Sequence, residues 1–252
     1  MKPLETKISG DRTVRYSRTG QGQPLLFLQG FGIKTTHYRP LFEALAGSFE
    51  IFAPDLLRSN RFRGQPVEVD SWAGVIEEFV QSVGLADFGV VGHSLGGAVS
   101  YTLAARSDAV RWAVGLNPLL PPSCGPGRLI GRSLRKGASE SIGREGLKAL
   151  LFANKFHGSF LYHTLRDLKN TAQLASNVCR FDYTDLRVTQ PSAMIWGERD
   201  EYFRLTPFVE RQIELAFDDI RIERLPELNH DWPVYRPEHA VQAILAMHTQ
   251  AP

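Results

Sequence analysis

Apolar positions along the chain follow two alternating spacings. Residues 25–28 are four consecutive apolar residues, which is typical of a strand buried on both faces. From residue 71 to 83 the apolar residues recur three and four positions apart, which predicts an amphipathic helix. Further strand-like segments are 13–17, 49–53, 88–91, 112–116, 192–196 and 220–225, and further helical patterns are 38–46, 98–105, 206–216 and 237–248. This alternation predicts an α/β fold with a mostly parallel central sheet flanked by helices.

The alternation stops between residues 123 and 189, where the pattern becomes helical and basic. This segment holds eleven Lys and Arg against five Asp and Glu, a net charge of +6, while the rest of the chain carries −4. We predict an α/β core of residues 1–122 and 190–252, with residues 123–189 inserted between two core strands as a helical lid. The alternative is a solvated helical face that happens to be basic.

Composition narrows the class of protein without identifying it. A net charge of +2 among 252 residues gives no reason to expect a nucleic-acid partner. The first residues carry charges where a signal peptide would be apolar, and no apolar stretch approaches the ~18 residues of a membrane span. Cys124 and Cys179 match no metal-ligand spacing, so we interpret them as reduced packing residues. We expect a soluble, cytoplasmic protein without a transmembrane segment.

The motif with the clearest chemistry is Gly-His-Ser-Leu-Gly at residues 92–96. It follows a predicted buried strand and precedes a predicted helix, which is the context in which such a serine is presented on a sharp turn. Glycines two positions to either side make that turn possible. The helix that begins there directs its N-terminus at the site, where it stabilises developing negative charge. We therefore interpret Ser94 as a nucleophile.

With this motif the chain resembles the α/β-hydrolase superfamily, and the resemblance covers nearly all of it. That family orders its residues as nucleophile, acid and histidine. The ending Ile-Trp-Gly-Glu-Arg-Asp at residues 195–200 resembles the family's acid loop and implies Asp200, with Glu198 and Asp231 as alternatives. The loop after the last strand implies His230. In this reading His230 takes the proton of Ser94, and Asp200 fixes the imidazole tautomer.

The same resemblance implies an oxyanion hole made of two backbone amides. One is the amide of Leu95, directly after the nucleophile. The other is the amide of Phe31, because Gln-Gly-Phe-Gly at residues 29–32 resembles the family's His-Gly-Phe-Gly. Gln29 replaces the family's histidine and still offers hydrogen bonds to hold the loop. Asp55, in the turn after residues 49–53, is interpreted as a brace for a loop.

The sequence indicates the substrate less specifically than it indicates the catalytic residues. Aromatic residues at helical spacing in the lid, Phe152 and Phe156 among them, form either the wall of an apolar pocket or the lid's own packing. We favour a small-molecule ester or thioester with an apolar acyl group, and neither a metal nor an organic cofactor is implied. Alternatives are a C–C bond hydrolase acting on a diketone, an acyltransferase, and a non-catalytic ligand-binding protein on the same fold. Ser94 argues against relatives with an aspartate nucleophile, such as haloalkane dehalogenases and epoxide hydrolases.

Overall fold

The computed structural model describes residues 3–8, 12–31, 33–55, 68–121, 131, 176–177 and 180–250. Its strands form one eight-stranded sheet with the order β1-β2-β4-β3-β5-β6-β7-β8. The strands are β1 Pro3–Ile8, β2 Arg12–Gly20, β3 Gln23–Leu28, β4 Phe49–Pro54, β5 Phe88–His93, β6 Val110–Leu116, β7 Ser192–Gly197 and β8 Ile220–Leu225. Strand β2 pairs antiparallel with β1 and β4, and the strands from β4 to β8 pair in parallel. The predicted α/β fold is confirmed.

Helices cover both faces of this sheet. They are a 3-10 helix at Thr35–Tyr38, α1 Arg39–Leu45, α2 Val69–Ser82, α3 Leu95–Arg106, α4 Pro207–Ala216, α5 Trp232–Tyr235 and α6 Pro237–Gln250. Along β3, Leu26 packs in one core cluster with α2, whereas Leu25 packs in the other with α1 and α6. Successive side chains of a strand point to opposite faces. A strand covered on both faces must therefore be apolar throughout, as residues 25–28 are.

The parallel strands bring their carboxyl ends to one edge of the sheet. Ser94 follows β5, Asn117 follows β6, and Asp200 lies three residues after β7. His230 lies in the connection between β8 and α5. In open parallel sheets this edge is where a crevice forms and ligands bind. The fold thus gathers the predicted site residues from segments far apart in the chain.

Element boundaries differ from the predicted ones by a few residues. The first predicted helix is divided into the 3-10 helix Thr35–Tyr38 and α1, and the short helix α5 was not predicted. No helix in the part of the chain that the structure describes is long and apolar enough to cross a membrane. Most of the predicted lid, including Phe152 and Phe156, lies outside the described residues.

Candidate active site

Ser94 lies on a sharp turn between β5 and α3. Its φ of 54° and ψ of −121° fall in a region that residues with a side chain rarely occupy. The backbone holds it there, because the Ser94 amide donates to the Leu116 carbonyl at 3.1 Å. Such a conformation costs on the order of 1–3 kcal/mol and persists only where the surroundings enforce it. The turn places the serine hydroxyl at the carboxyl edge of the sheet.

The glycines around Ser94 are required by the closeness of the backbone. A Cβ on Gly92 would overlap the carbonyl oxygen of Gly96. A Cβ on Gly96 would in turn overlap the carbonyl oxygen of Leu28 at the end of β3. Neither neighbour is a flexible side chain that could move aside. The two glycines therefore allow β5, α3 and β3 to approach as closely as this turn needs.

Ser94, His230 and Asp200 form one hydrogen-bonded chain. The hydroxyl of Ser94 lies 2.9 Å from Nε2 of His230, and Nδ1 of His230 lies 2.6 Å from Oδ2 of Asp200. The side chains of His230 and Asp200 are only 6% and 1% exposed. The three residues that the sequence singles out are thus brought together in the order that a serine nucleophile, a base and an acid would need.

Besides His230, three other groups donate hydrogen bonds to the carboxylate of Asp200. Its Oδ1 accepts the amides of Tyr202 and Phe203 at 2.8 and 2.9 Å. Its Oδ2 accepts Nδ2 of Asn117 at 2.7 Å. Burial by itself would raise the pKa of this carboxyl group. The neighbouring His230 and these donors outweigh burial, so the pKa of Asp200 lies below its ordinary value. The group is a fixed carboxylate.

Asn117 is a site residue that the sequence analysis missed. Its side chain is fully buried, and its Oδ1 accepts the amide of Gly197 at 2.7 Å and the indole N–H of Trp232 at 2.6 Å. Asn117 therefore links the acid loop after β7 to the helix that follows His230. The sequence offers one local signal for Asn117, its position directly after a buried strand. Its φ of 39° is visible in the structure and not in the sequence.

The two alternative acids occupy different positions. Glu198 has a 40% exposed side chain and pairs with Arg224 at 3.3 Å on the surface. Asp231 is buried and directly precedes α5, but Nδ1 of His230 is hydrogen-bonded to Asp200. Among the described residues, Asp231 groups with His93 and His230 as possible metal ligands within 4.8 Å of one another. Both nitrogens of each histidine are engaged in hydrogen bonds, so this group offers a metal only the carboxylate.

The loop predicted to supply an oxyanion donor lies against Ser94. A Cβ on Gly30 would be 3.3 Å from the Cβ of Ser94. The Gly30 amide donates to the Tyr38 hydroxyl at 3.2 Å, which leaves Phe31 as the next amide along the loop. Leu95 is the first residue of α3, where a helix has no carbonyl four residues earlier to take its N–H. The roles of the Phe31 and Leu95 amides stay predictions.

Gln29 and Asp55 brace that loop. Gln29 is buried and accepts the hydroxyl of Thr35. Its amide nitrogen lies 3.5 Å from the carboxylate of Asp55. The side-chain amide of Gln29 thus holds the loop at the position where the α/β-hydrolase superfamily has histidine. Asp55 therefore contacts the loop through Gln29, which fits the predicted role of a brace.

A cavity of about 220 Å³ lies next to the turn. Apolar side chains of Val69, Leu95, Phe181 and Leu186 line part of it. The rest of the lining is polar and mostly acidic: Glu68, Asp70, Asn177, Arg180, Asp182 and Asp185. The sequence gives no sign of this group of carboxylates. They come from the start of α2 with the residue before it, and from residues after 176, which are more than a hundred positions away.

A serine on a sharp strand-to-helix turn, joined to a histidine and an acid at the carboxyl edge of a mostly parallel sheet, is the arrangement found in α/β-hydrolases. Residues 25–244 match the alpha/beta hydrolase family. The chain belongs to this family.

Individual relatives differ in the reactions their names describe. Haloalkane dehalogenase 2 of Mycobacterium tuberculosis is 26% identical to this chain, over 92% of this chain and 90% of the relative. The crystal structure of a membrane phospholipase A, a bacterial virulence factor, superposes with a TM-score of 0.81 at 16% identity, over 98% of this chain and 86% of the other. A thermophilic esterase from Thermogutta terrifontis gives 0.75 at 18% identity, over 99% of both chains. At such identities the two structures show a shared fold.

Proposed function

We propose that the protein is a serine hydrolase that cleaves a carboxylic ester or thioester with an apolar acyl group. The observation that carries this proposal is the unbroken hydrogen-bonded chain from the Ser94 hydroxyl through His230 to Asp200. With the proton of His230 on Nδ1, facing the Asp200 carboxylate, Nε2 has a free lone pair to accept the Ser94 proton.

The reaction proceeds in two balanced steps. Ser94 Oγ attacks the ester carbonyl carbon while its proton passes to His230, and the amides of Phe31 and Leu95 stabilise the oxyanion. When the carbonyl re-forms, the alcohol or thiol leaves with the proton of His230, and the acyl group stays on Ser94. Water then gives one proton to His230 and attacks the acyl-serine. Collapse releases the carboxylic acid and returns the proton to Ser94.

Dehalogenation is a poor fit to a serine in this position, despite the likeness to a haloalkane dehalogenase. Displacement of halide from an alkyl carbon by Ser94 would form an ether. An ether has no carbonyl carbon for water to attack, so the enzyme would be left alkylated. Ester cleavage instead forms an acyl-serine that the same histidine can help to hydrolyse.

Two aromatic rings beside His230 support an apolar acyl group, whereas the carboxylates in the cavity next to the turn do not contribute to this argument. The ring of Tyr202 meets the imidazole edge-on at 4.9 Å between centroids, and the ring of Phe203 lies at 5.7 Å. We further propose that residues 123–189 act as a lid over Ser94, with Phe152 and Phe156 lining the acyl pocket. Most of this segment, with Phe152 and Phe156, lies outside the described part of the chain, and the proposal depends on its sequence pattern.

The test is hydrolysis of p-nitrophenyl esters of graded acyl length, together with labelling by a fluorophosphonate probe. Ser94→Ala should lower kcat by roughly 10⁴ to 10⁶ and abolish labelling. Ser192→Ala is the matched control, because Ser192 is also buried and its hydroxyl donates only to the Gln190 carbonyl. A folded wild-type protein with neither turnover nor labelling would favour a binding protein. Cleavage of a diketone but not of esters would favour the C–C hydrolase.

A further inference from the structure

Beneath Ser94, a short chain of hydrogen bonds joins two loops of the site. The Gly30 amide lies 3.2 Å from the Tyr38 hydroxyl, and that hydroxyl lies 2.6 Å from Nδ1 of His93. Nε2 of His93 lies 2.9 Å from the backbone carbonyl oxygen of His230. The chain therefore begins at the residue before Phe31 and ends at the backbone of the proposed base.

Only one arrangement of protons satisfies this chain. A carbonyl oxygen only accepts, so Nε2 of His93 must carry the proton and donate it to His230. Burial and the nearby ring of His230 lower the pKa of His93 to about 3, so its ring is neutral and Nδ1 is an acceptor. Tyr38 therefore donates to Nδ1, while its oxygen accepts the Gly30 amide. Every bond donates in the same direction, from the Gly30 loop to the His230 loop.

No solvent competes for these bonds. Tyr38 and His93 are both completely buried. The Tyr38 ring packs against Phe27 at 4.6 Å between centroids and against Phe42 at 6.4 Å. If one member of the chain loses its polar atom, its neighbours are left buried without a partner, which is costly. A shift of the Gly30 loop or of the His230 loop would relieve that cost.

We propose that Tyr38 and His93 are a pair of positioning residues that fixes the oxyanion loop and the backbone of His230 relative to each other. This inference rests on the proposed function, since it assigns the pair an effect on transition-state geometry. The hydrogen bonds of Tyr38 and His93 go to Gly30, to each other and to the His230 backbone, and not to the Ser94 hydroxyl or the ring nitrogens of His230. The pair acts by holding Phe31 and His230 at the same time, on opposite sides of the carbonyl group under attack.

The test is Tyr38→Phe, which removes one oxygen and keeps the packed ring. On p-nitrophenyl acetate, kcat should fall about 10- to 100-fold, because misplacement by an ångström can cost that much, while KM stays within about threefold. Hydrogen–deuterium exchange should speed up in both the peptide containing Gly30 and the peptide containing His230. Exchange is measured on the folded protein and does not depend on turnover.

Tyr101→Phe is the matched control. The Tyr101 hydroxyl is equally buried and donates to the Ala193 carbonyl at 2.7 Å. Tyr101 belongs to the core cluster of α2 and α3, whereas Tyr38 belongs to the other cluster. This variant should lose stability, with kcat and the exchange of both peptides at wild-type levels. At position 93, His93→Gln keeps an N–H for the His230 carbonyl, so its kcat should exceed that of His93→Leu.

The outcomes separate the two proposals. Wild-type kcat in Tyr38→Phe, or faster exchange in the Gly30 peptide alone, would overturn the coupling. The same holds if Tyr101→Phe lowers kcat as much as Tyr38→Phe, because the effect would then be general destabilisation. A wild-type protein without turnover or labelling would overturn the proposed serine hydrolase activity. Hydrogen–deuterium exchange in Tyr38→Phe would then decide by itself whether the two loops are coupled.

Discussion

At the scale of single residues, the sequence predicts those site residues that lie in a recognisable local pattern. Ser94 lies in a glycine-flanked motif, and Asp200 and His230 each follow a strand at a recognisable place. The sequence therefore predicted which three residues come together. Apart from the Gly30 amide, eight positions before Tyr38, the partners of Asn117 and of the Tyr38–His93 pair lie 55 to 137 positions away. No local pattern marks such contacts. The roles of all these residues stay predictions.

Asp200→Asn should lower kcat by about 10³ to 10⁴ with little change in the fold. The amide that replaces the carboxylate can turn its NH₂ group toward Nδ1 of His230, which favours the imidazole tautomer with its proton facing Ser94. Steady-state kinetics on p-nitrophenyl butyrate measures the effect. Glu198→Gln, on the exposed surface, is the control and should stay near wild type. A larger defect in Asp231→Asn than in Asp200→Asn would assign the acid to Asp231 instead.

At the scale of elements, apolar runs and helical periodicity predicted every strand from β3 to β8 and the helices between them. Short apolar runs bounded by turn residues and longer segments with three- and four-residue spacing differ in both length and period, so a single sequence suffices to predict these elements. Helix α5 could not be predicted, because its four residues are too few to show a period. The closeness of the Ser94 turn to β3 is likewise visible only in the structure, where Gly96 meets the end of β3.

Gly96→Ala and Gly74→Ala should shift stability in opposite directions. Gly96 has backbone of Leu28 in the place of its missing Cβ, so alanine should cost about 3 kcal/mol and abolish turnover. Gly74 lies within α2 with nothing within 4 Å of its Cβ position, so alanine should gain about 0.5–1 kcal/mol through helix propensity. Urea unfolding of both variants makes the measurement. A tolerated alanine at position 96 would mean that β3 can withdraw from the turn.

At the scale of the whole molecule, the buried His93 makes the free energy of unfolding depend on pH. Its pKa is about 3 in the folded protein against an ordinary value of 6.5. Between these values the unfolded chain binds a proton that the folded protein does not. The free energy of unfolding therefore rises with pH across this range and falls on acidification.

His93→Gln should reduce this pH dependence. On going from pH 8 to pH 5, the wild-type protein should lose about 2 kcal/mol more unfolding free energy than the variant, because only the wild type gains a proton at this position on unfolding. Urea titrations at the two pH values give the difference directly. Equal losses in the two proteins would mean that the folded state admits the proton at position 93 as readily as the unfolded chain.

The long separation between Ser94 and His230, 136 positions along the chain, also bears on how the protein becomes active. Contacts this distant in sequence form late, because the entropy cost of closing a large loop comes before the contact can stabilise the chain. During refolding from urea, ester hydrolysis should therefore return more slowly than helical circular dichroism. Simultaneous recovery of the two signals would show that β8 and His230 dock as early as the helices form. A growing polypeptide would likewise stay catalytically silent until its last strand and the histidine after it had been synthesised.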